Sequence, residues 1–269
     1  MQNSKRTSQI RTVCRRAGAI AFSLFLSSCG DSGSSAYPQR VVRVAVAGNF
    51  AAPQAELAAS FRTATGVEIE TSLGATGQLY AQIVNGAPFD VFLAADTVRP
   101  QLLEEQNATV LDSRFTYAVG RLVLYASTWD SVAVGDRQLR SRPIRHLALA
   151  NPQTAPYGAA AVAVLQHWGL LDEYADRIVR GENVGQAFQF VEAGAAEAGC
   201  VALSQVVDRD TRHYWIVPDS LHAPILQDAV LLRLGQANPY AQQYLDFIRG
   251  EAGRRVIASF GYALPSETR

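Results

Sequence analysis

The chain has 269 residues, 48% of them hydrophobic and 18% charged, enough apolar material for one large or two modest cores and none of the bias of a disordered chain. Its formal charge is zero, with 24 basic and 24 acidic side chains, but residues 1–28 hold five of the bases (Lys5, Arg6, Arg11, Arg15 and Arg16) and no acid. The remainder carries 19 bases against 24 acids, a net charge of −5 with no lysine, which excludes a generic attraction to nucleic acid or to an anionic membrane surface.

The start of the chain reads as a secretory signal over residues 1–28. A basic segment ending at Arg15-Arg16 is followed by the apolar run Ala17 to Leu26, too short for a stable membrane span, and then by small residues. Leu26-Ser27-Ser28-Cys29 has the form of a bacterial lipobox, in which Cys29 would be lipidated and become the first mature residue. The alternative is an ordinary cleavage site that contains a cysteine. Arg15-Arg16 lacks the rest of a twin-arginine pattern, so ordinary export is expected. Residues 29–40, rich in Ser and Gly, read as a flexible tether. Cys14 leaves with the signal and Cys29 carries lipid, so Cys200 stands alone and no disulfide forms within one mature chain. Within Ala198-Gly-Cys-Val-Ala-Leu203 it fits a buried strand residue better than a reactive thiol, having no histidine near it in sequence.

The fold should begin near Val41. Val41–Val46 reads as a strand, and the helix after it carries Leu57, Ala58, Phe61 and Ala64 at helical spacing before stopping at Gly66. Val67–Leu73 alternates as a second strand. A helix from Gly77 closes at Asn85-Gly86, Pro88–Ala95 is a buried strand, and Asp96 is placed to cap a helix through Glu105. Three strands alternating with three helices imply parallel βαβ units. Arg121–Ala126 reads as a long apolar strand, followed by a helix-poor region with Arg137, Arg140, Arg142 and Arg145, either a solvated loop face or a contact for an anionic partner. A second βα series opens with the strand His146–Ala150, the turn Asn151–Gly158 and a helix to about Trp168. Gly181–Gly185 then precedes a helix over 186–193, with a returning strand at Ala198–Leu203. Ala229–Leu234 is expected to pair with Arg121–Ala126 as a two-stranded connection, and two helices close the chain. The expected architecture is α/β: two Rossmann-like lobes joined by two crossover strands around a cleft with a hinge, the type II periplasmic-binding-protein arrangement. Residues 41–119 and 235–269 would form one lobe, and 120–234 the other with the hinge strands.

Four turns, at Asn49, Thr76, Tyr157 and Val184, each stand at the start of an expected helix. The first amide hydrogens of a helix lack internal partners and carry about half a positive charge between them, so converging helix starts make an anion site without Lys or Arg. Gly48, Gly74, Gly77 and Gly158 would let backbone approach a ligand closely. Such a donor-only cage suits a fully deprotonated dianion, whereas protonated phosphate would leave its own hydrogen unpaired at about 1–3 kcal/mol. The bland alternative is that Asn49 and Thr76 are ordinary helix caps. Asp90 and Asp96 fit braces of a strand end better than metal ligands, since no further acid or histidine accompanies them. The Tyr157 ring could lie over the cleft as a lid, or simply on the surface.

Six motifs in order carry a resemblance: Ala47-Gly-Asn-Phe50, Gly74-Ala-Thr-Gly-Gln-Leu-Tyr-Ala-Gln-Ile83, Gly86-Ala-Pro-Phe-Asp-Val-Phe-Leu-Ala-Ala-Asp96, Asn151-Pro through Pro156-Tyr-Gly158, Gly181-Glu-Asn-Val184 and Val201-Ala-Leu-Ser204. From about Val41 to Pro265 the chain resembles the periplasmic molybdate-binding proteins that feed ABC transporters, within the larger group of two-lobed solute-binding proteins. The resemblance implies that Asn49 and Thr76 bind the oxyanion with side chain and backbone amide, and that Tyr157 and Val184 contribute backbone amides. It further implies molybdate or tungstate as ligand with no cofactor and no metal beyond the molybdenum of the oxyanion. The implied partners are ABC permease and ATPase subunits, and the implied state is a monomer in the periplasm or cell envelope, held to a membrane by its lipid. Gly48 stands where some relatives carry a hydroxyl, and Ala202 where one branch carries a ligand-reaching tyrosine.

Rival readings lack parts. His146, His167, His213 and His222 are scattered, and there is no Gly-x-Ser-x-Gly elbow, metal-spaced cluster or phosphate loop, so no enzyme is expected. A two-lobed receptor for sulfate or another anion, or an exported sensor module, stays open as an alternative.

Overall fold

The computed structural model describes residues 40–132 and 135–265, so the signal over 1–28, Cys29 and nearly all of the tether lie outside the described residues. In chain order the elements are β1 (Val41–Ala47), α1 (Ala51–Thr65), β2 (Glu68–Gly74), α2 (Thr76–Val84), β3 (Val91–Leu93), α3 (Val98–Glu105), β4 (Phe115–Gly120) and β5 (Leu122–Tyr125). There follow α4 (Gly135–Ser141), β6 (Leu147–Ala150), α5 (Pro156–His167), α6 (Leu171–Tyr174), β7 (Ile178–Gly181), α7 (Val184–Glu192), β8 (Ala198–Ala202), β9 (Tyr214–Ile216), β10 (Ile225–Leu231), α8 (Pro239–Arg249) and α9 (Glu251–Ser259).

Two five-stranded sheets result, ordered β2-β1-β3-β10-β4 and β7-β6-β8-β5-β9. Each has three parallel strands at one side, β2, β1 and β3 in the first and β7, β6 and β8 in the second. Each then receives an antiparallel strand from the other half of the chain: β10 runs against β3 and β4, and β5 against β8 and β9. The chain thus passes between sheets at Gly120-Arg121 and again between β9 and β10, giving two lobes and two crossings. Strand β1 shows why the first sheet is buried on both faces. Val42, Val44 and Val46 point to a core with Leu57, Phe61, Leu245 and Ile248, while the intervening Ala45 joins Leu79, Phe92 and Leu103 on the other side. The second lobe has its own core around Leu122, Leu124, Leu149, Val164 and Val201.

Two sequence expectations are corrected. The strand expected over Ala229–Leu234 begins at Ile225 and pairs with β3 and β4, not with Arg121–Ala126, so it belongs to the first sheet rather than to a lobe running through residue 234. Gln227 and Asp228 make that stretch look like loop, yet both are buried and hydrogen-bonded. The region after Tyr125, expected to be helix-poor, contains α4. Its arginines are a solvated face in part: Arg137, Arg140 and Arg145 are exposed, whereas Arg142 lies 4.8 Å from the ring centre of Trp129. Cys200 is a buried residue of β8, its thiol pushed up to about 12 by burial, which leaves it protonated and inert.

Candidate functional site: a cavity of helix starts between the lobes

The strand ends of both lobes face each other, and each delivers a helix start to the same place. From the first lobe come the turn after β1, which holds Gly48 and Asn49, and the start of α2 at Thr76. From the second come the start of α5 at Pro156-Tyr157 and the start of α7 at Asn183-Val184. All four residues singled out from the sequence line one small cavity, together with Ala47, Gly48, Gly74, Ala75, Ala95, Ala155, Pro156 and Asn183. The space left there is about 190 Å³. No lining residue carries a charge.

What the cavity offers is hydrogen. The amides of Thr76, Tyr157 and Val184 open their helices and, among the described residues, donate to no protein acceptor. Thr76 is 1% exposed, and its Oγ1 accepts from the Ala95 amide at 3.0 Å, so its own hydroxyl hydrogen remains to be given. Asn183 caps α7, its Oδ1 accepting from the Gln186 amide at 3.1 Å. Three helix starts, the turn at Asn49 and a hydroxyl meeting around an uncharged cavity give a positive potential with no cation in it.

Close approach of backbone makes this possible. A Cβ at Gly158 would lie 2.3 Å from the Ala150 carbonyl oxygen, so only glycine lets the start of α5 sit against the end of β6. A Cβ at Gly48 would lie 2.9 Å from Asn183 Oδ1, which accounts for the missing hydroxyl at this position: the facing Asn183 already fills its space. The lobes are held together around the cavity by direct bonds. Gly77 N donates to Thr154 O at 2.9 Å, Gln78 Nε2 to Glu182 Oε2 at 2.6 Å, Arg99 Nη2 to Gln153 O at 3.2 Å and Ser204 Oγ to Asn49 O at 2.8 Å.

Two side chains differ from the sequence reading. Asn49 was expected to offer its side-chain amide to a ligand, but Nδ2 donates to Gln227 Oε1 and to Tyr262 Oη, both at 2.9 Å, and so has spent both hydrogens. The Tyr157 ring is not a lid. It is 1% exposed and runs inward to the crossing between β4 and β5, where its hydroxyl accepts from Gln227 Nε2 at 3.2 Å. Behind the cavity therefore lies a neutral cluster of Asn49, Tyr117, Tyr157, Ser204, Gln227 and Tyr262, drawn from both lobes. Burial holds the Tyr117 and Tyr157 phenols far above their ordinary range and pushes Tyr262 up to about 12, so all three stay protonated. Sequence reasoning missed Gln227, Tyr262 and Asn183. Asn183 had a signal, a cap residue directly before the helix of α7. Gln227 and Tyr262 had none, lying 178 and 213 positions from Asn49.

Asp90 and Asp96 are braces. Asp90 Oδ2 accepts from the Arg43 amide at 2.8 Å, and Asp96 caps α3 by accepting from the Arg99 amide at 2.9 Å. Among the described residues no group of His, Cys, Asp and Glu could hold a metal ion, and no helix is long and apolar enough to cross a membrane.

Residues 42–263 match the family model of the bacterial extracellular solute-binding protein. The chain is 48% identical over 227 residues, 83% of its length, to the molybdate-binding protein ModA of Azotobacter vinelandii, of which 90% is covered. It is 40% identical over 248 residues to the ModA of Rhodobacter capsulatus, covering 92% of this chain and 96% of that one. Among solved structures, the periplasmic molybdate-binding protein of Azotobacter vinelandii superposes with a TM-score of 0.80 at 38% identity, over 83% of this chain and 99% of that one. The sulfate-binding protein SubI of Mycobacterium tuberculosis shares the fold, with a TM-score of 0.68 at 12% identity. With the family model spanning nearly all of the described chain, this protein belongs to the bacterial extracellular solute-binding proteins.

Proposed function

We propose that this protein captures molybdate, and tungstate with it, outside the cytoplasm and delivers it to the permease and ATPase subunits of an ABC importer. The observation that carries the reading is the cavity itself: helix starts from both lobes, at Asn49, Thr76, Tyr157 and Val184, around a space with no charged side chain. A proton-free tetrahedral dianion accepts hydrogen bonds at every oxygen and needs nothing but donors. The amides of the four turns and the Thr76 hydroxyl supply them. Hydrogen phosphate would have to donate, and the turns offer it no carboxylate. The names of the relatives at 48% and 40% identity support the choice of molybdate.

In this reading the lobes close about the two crossings, residues 120–121 and the segment between β9 and β10. The rim bonds from Gln78 to Glu182 and from Arg99 to Gln153 then hold the closed form. The protein works as a monomer tethered to a membrane by lipid on Cys29, and the closed face of both lobes is what the permease recognises. Calorimetric titration with molybdate, tungstate, sulfate and phosphate tests the reading. Tight binding of molybdate and tungstate with none of phosphate is expected, and tight phosphate binding without molybdate would overturn it. Metabolic labelling with a palmitate analogue, lost in Cys29→Ser, tests the anchor.

A further inference from the structure

The Asn49 side chain poses a problem for a donor-only cage. Its Nδ2 points away from the cavity, at Gln227 and Tyr262, neither of which lines it. The atom left over is Oδ1, which accepts no hydrogen bond among the described residues and is not sealed from solvent, on a residue that lines both this cavity and the wider pocket beside Ser204. A carbonyl oxygen turned toward an oxyanion repels it.

The surroundings allow the opposite arrangement. Gln227 is fully buried, and its Oε1 accepts from Asn49 Nδ2 and from the Tyr117 hydroxyl at 3.1 Å, while its Nε2 donates to the Tyr157 hydroxyl. Every other partner is a hydroxyl, able to give or to accept. If both amides turn over together, Gln227 Nε2 donates to Asn49 Oδ1 and to Tyr117 Oη, and the Tyr157 hydroxyl donates to Gln227 Oε1. Tyr262 then turns its one hydrogen from Asn49 O and Ser204 Oγ to Asn49 Oδ1, Tyr117 keeps its bond to Ala94 O, and Ser204 keeps Asn49 O paired. No group of the buried cluster is left unpaired, and Asn49 Nδ2 takes the place of Oδ1 as a donor.

We propose that Gln227 is the positioning residue that sets which end of the Asn49 amide the anion meets, and that capture of a proton-free oxyanion turns the two amides over together. The inference rests on the oxyanion reading above. It makes Gln227 a determinant of selectivity although it touches no ligand: with Nδ2 toward the cavity the site favours dianions that carry no proton, and with Oδ1 toward it the site tolerates a protonated one. A glutamine fits both arrangements because an amide can play both parts. An ionised glutamate accepts only and would hold Asn49 Nδ2 inward permanently.

The test compares Gln227→Glu, at mildly alkaline pH where the new carboxylate is ionised, with Gln227→Met, which removes the same bonds but leaves Asn49 free to turn. Titration calorimetry with molybdate and with inorganic phosphate should show molybdate affinity falling about tenfold or more in Gln227→Glu, with the preference for molybdate over phosphate narrowed by at least as much. Gln227→Met should keep that preference. Equal loss in both variants with unchanged preference would reduce Gln227 to packing and overturn the proposal. A second measurement needs no variant: in wild-type protein the Gln227 side-chain amide hydrogens should lie near the Tyr157 ring without ligand and near the Tyr117 ring with molybdate, as read from nuclear Overhauser effects. Amide hydrogens that stay beside Tyr157 on saturation would overturn the turnover. Wild-type protein that takes no molybdate would remove the underlying reading as well, whereas normal molybdate binding with a static amide removes this inference alone.

Discussion

Gln227 and Asp228 are neighbours on β10, 0% and 1% exposed, yet they sit in surroundings of opposite character. Around Gln227 every side-chain partner is neutral: the Asn49 amide and the Tyr117 and Tyr157 hydroxyls, shared between the lobes. Around Asp228 the partners carry charge, with Arg114 Nη1 at 2.8 Å beside the Thr116 hydroxyl at 2.7 Å, and Arg114 reaching on to Glu104 at 2.6 Å. The register shift between the two residues in the pairing with β4 separates these environments. The contrast shows how the chain keeps fixed charge out of the small cavity. Carboxylates and guanidinium groups are spent on one another at the outer side of the sheet. Polarity behind the cavity comes only from groups that stay uncharged, so a negative ligand meets neither a repelling acid nor a competing salt bridge.

The comparison breaks most visibly on the neutral side. Thr76→Val keeps the shape but removes one donor to the anion and orphans the Ala95 amide, so molybdate affinity should fall on the order of 100-fold or more in calorimetry. On the charged side, Asp228→Ala should lower unfolding free energy by about 2–3 kcal/mol in urea titration, less than a fully buried pair because Arg114 is part-exposed and retains Glu104. Its effect on affinity should be small, and a large one would mean that the two clusters are not separate. Gly48→Ser pushes against Asn183 Oδ1 and should weaken binding by about tenfold through the closed form, with little loss of stability.

The tyrosines give a pH signature. Burial raises Tyr117, Tyr157 and Tyr262 above the ordinary 10.0, so their contribution to stability is complete below pH 10 and is lost as pH rises toward the folded values, about 12 for Tyr262. Urea midpoints should therefore fall steeply only above pH 10, while affinity for molybdate stays flat near neutrality. The smallest effect belongs to the rim: Gln78→Ala removes an exposed bond to Glu182 and should change affinity by less than about threefold.

Much of this was legible in the residues, and the exceptions have physical causes. Strand β1, helices α1 and α2 and the turns at Asn49 and Thr76 follow from local alternation and helical spacing, so the helix starts could be found without coordinates. Strands β4, β7 and β9 are six residues or fewer, and all three lie at sheet edges where the apolar pattern is weak. The first half of β10 was hidden because Gln227 and Asp228 look solvent-facing, although long-range partners bury both. The role of Asn49 was half legible. Its place at a helix start was local, but what its side chain bonds to is decided by Tyr262, at the far end of the chain. That also changes the expected behaviour of Asn49→Leu: it strips hydrogen bonds from Gln227 and Tyr262 and should cost stability as well as binding, where the sequence suggests binding alone.

The most direct measurement is a crystal structure of the molybdate-soaked protein with the molybdenum located by its anomalous scattering. A single peak between the amides of Asn49, Thr76, Tyr157 and Val184, with all oxygens on N–H or O–H donors, is the predicted result. A peak in the wider pocket beside Glu182 and Asp208, or one held by arginine side chains, would contradict the claim that uncharged helix starts do the capturing.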